Sequence, residues 1–257
     1  MSYVFVLGAG DPEMSAIERV CQESNYIVLY ASVQGQRVHA GNAYQADSID
    51  FQAYPGSIPV WVECRSKDYQ DHHIVIDHHH AGDPGYGFLP NEYWLGSSIG
   101  QLCALIGHER TDELSITAAA DHCLSHAYKG LCPGVSPNAL RKWRAKTRAQ
   151  FQCIPVAKLE SQVEQAILIL RKKPVINING EDFIDAREGK LKEFSEASAI
   201  IGESVMYEIY DFKSRRIKVG VLGGESHKIV AWLKWAEKTL VDTYGDPQRG
   251  YAGGYRK

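Results

Sequence analysis

The chain has 257 residues, 44% of them apolar and 23% charged, with a formal net charge of −3. That length can bury a sizeable core, in one large domain or two smaller ones. The near-neutral balance excludes a protein that coats duplex nucleic acid through its overall field, while leaving room for a local basic surface. No apolar stretch approaches the roughly 20 residues that span a bilayer. The opening Tyr3-Val4-Phe5-Val6-Leu7 is too short, and lacks the basic flank, for a signal-peptide core. Six cysteines (Cys21, Cys64, Cys103, Cys123, Cys132, Cys153) include no Cys-x-x-Cys pair, so they read as reduced residues of a cytoplasmic protein.

Short apolar runs alternate with helical patterns. Tyr3 to Leu7 reads as a strand, Pro12 to Glu23 as a helix, Tyr26 to Ser32 and Val60 to Glu63 as strands, and Ile74 to Ile76 as another. Leu95 to Ile106 has helical spacing, and Ser115 to Tyr128 reads as a helix or as a strand running into one. Pro133-Gly134-Val135-Ser136-Pro137 punctuates the chain before a charged helical stretch from about Asn138 to Lys172, interrupted at Pro155. Strands Val175 to Ile178, Val205 to Tyr210 and Ile217 to Leu222 follow, then a helix over Lys228 to Thr239. Strands alternating with helices predict an α/β protein. Its N-terminal domain (1–137) has a parallel sheet, a helical connector covers 138–173, and a smaller α/β domain covers 174–257.

The triplet Asp77-His78-His79 follows the β-branched run Ile74-Val75-Ile76 directly. In a parallel sheet, ligands bind just beyond the carboxyl ends of the strands. A carboxylate and two imidazoles delivered there suit a divalent first-row metal. An exposed histidine-rich loop is the bland alternative.

Three further segments join the triplet in order along the chain. They are Gly96-Ser97-Ser98-Ile99-Gly100-Gln101-Leu102, Ala118-Ala119-Ala120-Asp121, and Arg249-Gly250-Tyr251-Ala252-Gly253-Gly254. Together they resemble the DHH phosphoesterase superfamily, which includes single-strand exonucleases, nanoRNases and manganese-dependent pyrophosphatases. The resemblance implies a parallel-sheet catalytic domain, a smaller C-terminal domain, and one or two Mn²⁺ or Mg²⁺ ions. It implies Asp77, His78 and His79 as catalytic residues and Glu13, Glu63, Asp77, His78 and Asp121 as metal ligands. Arg249, Gly250, Tyr251, Gly253 and Gly254 become a glycine-rich substrate loop. The implied partner is a nucleotide or short single-stranded nucleic acid, with no membrane involved. The implied reaction is hydrolysis of a phosphodiester.

The first motif departs from that pattern. The family runs His-x-x-Pro-Asp-x-Asp, whereas this chain, aligned on Pro12, has Ala9 at the His position, Glu13 at the first Asp and Ser15 at the second. Glu63 takes the place of a strand-end Asp. Three readings are open: substitute ligands from Asp11, His80, His122 or His126; a single-metal site; or a nucleotide- or phosphate-binding protein without hydrolysis.

Other features have less pointed readings. Gly8-Ala9-Gly10 lacks the third glycine of a dinucleotide loop, since position 13 is Glu13. Arg141, Arg144 and Arg148 share a helix face that could guide a phosphate backbone, or be a solvated surface. Asp71-His72-His73 mimics the triplet but enters its strand from the wrong end, so no metal is assigned to it.

Overall fold

The computed structural model describes residues 2–189, 192–212 and 214–257. The chain divides into two compact units, Met1–Cys123 with Leu131–Ser136 and Leu124–Gly130 with Pro137–Lys257. None of the helices in the described residues is long and apolar enough to cross a membrane.

The first unit holds strands β1 (Ser2–Leu7), β2 (Ile27–Tyr30), β5 (Ser57–Val62) and β6 (Ile74–Ile76), with a two-stranded β3 (Ser32–Val33) and β4 (Gln36–Arg37) ribbon. The four-stranded sheet runs β2-β1-β5-β6 and every pairing in it is parallel. Val4 to Leu7 and Val60 to Val62 are wholly buried, the pattern of strands covered on both faces. Helices α1 (Pro12–Glu23), α2 (Tyr93–Gly96), α3 (Ser98–Ile106) and α4 (Asp112–His122) pack with them. Val6 and Trp61 form another cluster with Ala31, Val38, Ala43 and Ala46 of the long β2-to-β5 connection.

Local chemistry sets the helix bounds. Asp11 caps α1, its Oδ1 accepting from the Met14 amide at 2.7 Å, with Pro12 in the first turn. The expected helix over Leu95 to Ile106 is broken at Ser97, which turns to extended backbone and caps α3 through the Gly100 amide. The stretch from Ser115 to Tyr128 is helical throughout except at Cys123, which separates α4 from α5 (Leu124–Tyr128).

The second unit contains α5, α6 (Pro137–Phe151), α7 (Val156–Leu170) and α8 (Phe194–Ile201). Its strands are β7 (Val175–Ile178), β8 (Glu181–Asp185), β9 (Val205–Asp211), β10 (Arg216–Leu222), β11 (Val241–Asp246) and β12 (Tyr251–Tyr255), with α9 (Ser226–Thr239) between β10 and β11. They form one sheet in the order β11-β12-β10-β9-β8-β7, antiparallel except for β8 with β9. Ile229, Trp232 and Ala236 of α9 pack on Met206, Val219, Val221 and Ala252 of the sheet.

Two expectations change here. The glycine-rich stretch expected as a loop is largely strand: Tyr251 to Tyr255 pair with β10 and β11, and only Arg249 and Gly250 remain in the turn before it. Gly253 sits opposite Gly220, and the rings of Tyr207 and Tyr244 occupy the space beside them. A side chain at Gly253 would start 2.5 Å from the Tyr244 hydroxyl. These glycines make room for aromatic rings.

The second change concerns the arginine face of α6. Arg141 pairs with Glu164, Arg144 forks onto Glu196, and Arg148 pairs with Glu193 and lies 3.6 Å from Glu196. The Tyr128 hydroxyl donates to Glu196 at 2.5 Å. These guanidinium groups are engaged within the unit, because α7 and the start of α8 present acids to them.

Burial alone would raise the Glu196 carboxyl, yet Arg144 and Tyr128 hold it below its usual 4.5. Its contribution to stability is therefore full above about pH 4.5 and lost as pH falls through the lowered value. Glu196→Ala removes the buried carboxylate that Arg144 forks onto and is expected to cost about 3–5 kcal/mol in denaturant unfolding. Glu196→Gln should cost less and flatten the acid limb of stability against pH. An unchanged acid limb would count against the network.

A candidate metal centre at the strand ends

The parallel sheet brings the carboxyl ends of β1, β5 and β6 side by side. The row is tied beyond the strands, since the Gly8 amide donates to the Val62 carbonyl and the Glu63 amide to the Ile76 carbonyl, both at 3.0 Å. Glu63 follows β5 in the left-handed region, at φ 50, a conformation that costs a non-glycine residue free energy. Gly8 permits the close approach, because a Cβ there would lie 2.5 Å from the Glu63 carbonyl oxygen.

Four side chains converge at this edge. Glu13 on the first turn of α1, Glu63 after β5, His78 after β6 and Asp121 on the last turn of α4 each offer a ligand atom within 4.8 Å of the others. Glu13, Glu63 and His78 are buried. His78 Nε2 lies 2.9 Å from Asp121 Oδ2 and 3.4 Å from Glu63 Oε1, as ionic contacts off the line of a good hydrogen bond. Glu13 Oε1 accepts from the Ile99 amide at the start of α3 at 3.1 Å, while its Oε2 has no hydrogen-bond partner among the described residues.

Asp11 belongs to the same electrostatic neighbourhood. Burial, then Asp121 and Glu63, push its carboxyl up to about 7. Burial, Asp121 and Glu63 also hold Glu13 well above its usual range. His78 is the counterweight: although burial disfavours its charge, Asp121 and Glu63 raise it to about 10. Buried carboxylates crowded around one imidazole are costly unless protons or a cation neutralise them.

The donor set fits a divalent cation. Three carboxylates and one imidazole are ligands of Mn²⁺ or Mg²⁺ type. Glu13 Oε2, buried and without a hydrogen-bond partner among the described residues, can take either a proton or a cation. A second, overlapping group, Glu63, His78 and His79, meets the same distance limit.

Asp77 does not join either group. It is fully buried, and its Oδ1 accepts from the His78 and His79 amides at 2.8 and 3.1 Å and from His79 Nδ1 at 2.9 Å. The Tyr44 hydroxyl reaches both of its oxygens, at 3.2 and 3.0 Å. Burial would raise Asp77, but these bonds bring it below its usual value. Gln101 of α3 clamps the same residue, donating to the Asp77 carbonyl at 3.1 Å and accepting from its amide at 3.3 Å. Asp77 thus holds the backbone turn and orients His79 by accepting from its Nδ1, leaving Nε2 for other partners.

His122 sets the state of His78. Its Nε2 lies 3.0 Å from the Phe88 carbonyl, which can only accept, so that nitrogen carries the proton. Its Nδ1 is then an acceptor for His78 Nδ1 at 3.1 Å. That directs the variable nitrogen of His78, Nε2, at Glu63 and Asp121. Proton or cation can occupy that position.

The remaining candidates lie elsewhere. Ser15 is exposed, its hydroxyl bonded to the Asp11 carbonyl at 2.8 Å, so it faces away from the cluster. His80 is exposed and stacks edge-on with Tyr44 at 4.4 Å. His126 belongs to the second unit. His73, of the imitation triplet, accepts from Trp61 Nε1 at 3.0 Å within the core. Tyr44 had no sequence signal, since it lies in a connection with neither periodicity nor motif. Gln101 lay within the quoted small-residue segment, but nothing in the segment distinguishes it.

No family model matches the chain, and no curated protein matches it. Among solved structures, it is similar to the pGpG-specific phosphodiesterase PggH from Vibrio cholerae, at 11% identity and a TM-score of 0.41, covering 99% of this chain and 93% of that one. It is also similar to a putative family II inorganic pyrophosphatase from Methanococcus jannaschii, at 14% identity and a TM-score of 0.23, with 88% of each chain covered. Likeness at this level decides neither family nor activity, and the functional reading rests on the site itself.

The electrostatics set a test in the metal-free protein. Folded Asp11 keeps its proton to about pH 7, whereas its ordinary value is 3.8. The folded state then binds more protons than the unfolded state in that window, so stability falls as pH rises from about 4 to 7. Asp11→Asn, which keeps the helix cap, should flatten this slope in thermal melts. Separately, His122→Ala should weaken Mn²⁺ binding by about 10–100-fold and change the His78 tautomer seen by ¹⁵N NMR. An unchanged tautomer would remove the positioning role of His122.

Proposed function

We propose that the chain is a DHH-like phosphoesterase that hydrolyses a phosphodiester or nucleotide, with a short single-stranded oligonucleotide as the leading substrate, in a cytoplasmic setting. The observation that carries this reading is the convergence of Glu13, Glu63, Asp121 and His78 at the carboxyl edge of a parallel sheet, with one buried carboxylate oxygen unpartnered. These four residues would hold Mn²⁺ or Mg²⁺. When bound, such an ion polarises a phosphoryl oxygen and makes water more acidic.

The protein's own groups account for the rest. The Ile99 amide holds one oxygen of Glu13 and leaves the other directed inward. His122 keeps the His78 Nε2 position turned to the carboxylates. Asp77 and Tyr44 fix the His79 ring, whose other nitrogen can contact a phosphate or exchange a proton. Asp11 adds a further carboxyl beside Asp121 and Glu63. Arg249, Gly250 and Tyr251 are assigned to the substrate from their place in the sequence, with Gly253 and Gly254 building the strand behind that turn.

The alternative, a binding protein without hydrolysis, draws on Ala9 and Ser15, which cannot replace a histidine and an aspartate as ligands. Asp11 favours the enzyme, since it brings a further carboxylate to the edge where Ser15 supplies none.

Turnover of dinucleotides, short single-stranded DNA and RNA, pAp and pyrophosphate with Mn²⁺ tests the reading. We expect a phosphodiester to be hydrolysed, and Glu63→Gln and Asp121→Asn each to lower kcat by about 100-fold or more, each removing a group that holds the ion. Nucleotide binding without turnover on the whole panel would establish the binding protein instead.

A further inference from the structure

Cys123 and Cys132 stand apart from the site chemistry and have no part in it. Their sulfurs lie 3.2 Å apart, the one close thiol pair among the described residues. Both belong to the first unit, although the residues between them, Leu124–Gly130, belong mainly to the second. Each sulfur is held by an anchored piece of backbone. Cys123 ends α4, its amide bonded to the Ala119 carbonyl at 3.2 Å. Cys132 precedes Pro133, whose carbonyl accepts from the buried Tyr93 hydroxyl at 3.1 Å, and its own carbonyl accepts from the Val135 amide at 3.1 Å. A disulfide needs the sulfurs to close to about 2.05 Å, little more than one ångström from where they rest. Cys123 is partly exposed while Cys132 is buried, so an incoming oxidant meets Cys123.

We propose that Cys123 and Cys132 form a reversible dithiol–disulfide site that reacts with low-molecular-weight disulfides such as oxidised glutathione. The Cys123 thiolate attacks one sulfur of the oxidised glutathione, breaking its S–S bond and releasing one reduced glutathione. The Cys132 thiolate then attacks Cys123 Sγ in the mixed disulfide, releasing the second. Two protein thiols are oxidised by two electrons, one small disulfide is reduced to two thiols, and both protein protons leave on the released glutathione. The other cysteines lack this geometry: Cys21, Cys64 and Cys103 are buried with no sulfur partner this close, and Cys153 is exposed and alone. The staple closes on the residue that ends α4, two positions beyond Asp121. The inference holds whether or not the chain is a phosphoesterase, because its readout is a covalent bond.

The test uses the full chain, reduced and then equilibrated in glutathione buffers of graded ratio, with free thiols alkylated and peptides identified by mass. The expected result is a linked Cys123–Cys132 peptide, four alkylatable thiols in place of six, and full recovery of six with dithiothreitol. The link should persist at a glutathione ratio at least tenfold more reducing than the one that clears the mixed disulfide at Cys153, which serves as the unpaired control. Cys132→Ser should trap glutathione on Cys123, and Cys123→Ser should leave Cys132 unmodified in the folded protein. Glutathione on Cys123 of the unsubstituted chain with no linked peptide at any ratio would overturn the proposal. So would a linked peptide that clears together with the Cys153 adduct.

Discussion

The first unit is organised around a concentration of buried negative charge. Glu13, Glu63 and Asp121 meet at one strand edge with His78 as the positive group among them, and Asp11 adds a further carboxyl close by. A fold bears such a cluster only if something neutralises it, and the environment shows the strain. Burial and the neighbouring acids push the Asp11 and Glu13 carboxyls above their usual range, and Glu63 occupies left-handed backbone space that a non-glycine residue disfavours. Packing alone would gain from removing these groups, and strain and shifted acids of this kind concentrate at binding and catalytic sites in general.

Around that charge, the structure spends its hydrogen bonds on orientation. Asp77 is fully buried and is not one of the four side chains that converge. It gathers Tyr44, His79 and two backbone amides, while Gln101 holds its main chain. His122 does for His78 what Asp77 does for His79, using the Phe88 carbonyl to choose which nitrogen is protonated. Supporting partners of this kind fix ring orientation and tautomer, and a site with fixed donors loses little entropy when it takes a ligand.

The second unit obeys a different economy. Its basic helix is not a free cationic surface on the Arg141, Arg144 and Arg148 face, because α7 and the α8 region supply Glu164, Glu193 and Glu196 to it. Its glycine-rich end is not a free loop, because Tyr207 and Tyr244 need the space that Gly220 and Gly253 leave. Neither role in the fold is visible when the two features are read as strings of residue types. In the folded unit they are largely engaged in holding it together.

The sequence by itself determined the alternation of strands and helices, the parallel character of the first sheet and the strand-end position of Asp77-His78-His79. Those follow from local rules: β-branched runs, a capping Asp11 before Pro12, and apolar periodicity. Glu13, Glu63, His78 and Asp121 follow as a ligand set only from the family resemblance; of these, Glu63 and His78 lie just past strand ends, while Glu13 and Asp121 come from helices. Only the tertiary structure decided that Asp77 turns from the cluster to brace His79, that Ser15 points outward, and that Asp11 and His122 stand in the site. Side-chain direction at a strand end depends on the partner that reaches it from a distant segment. Tyr44, Gln101 and Phe88 come from connections and helices that no spacing rule ties to residue 77 or 122.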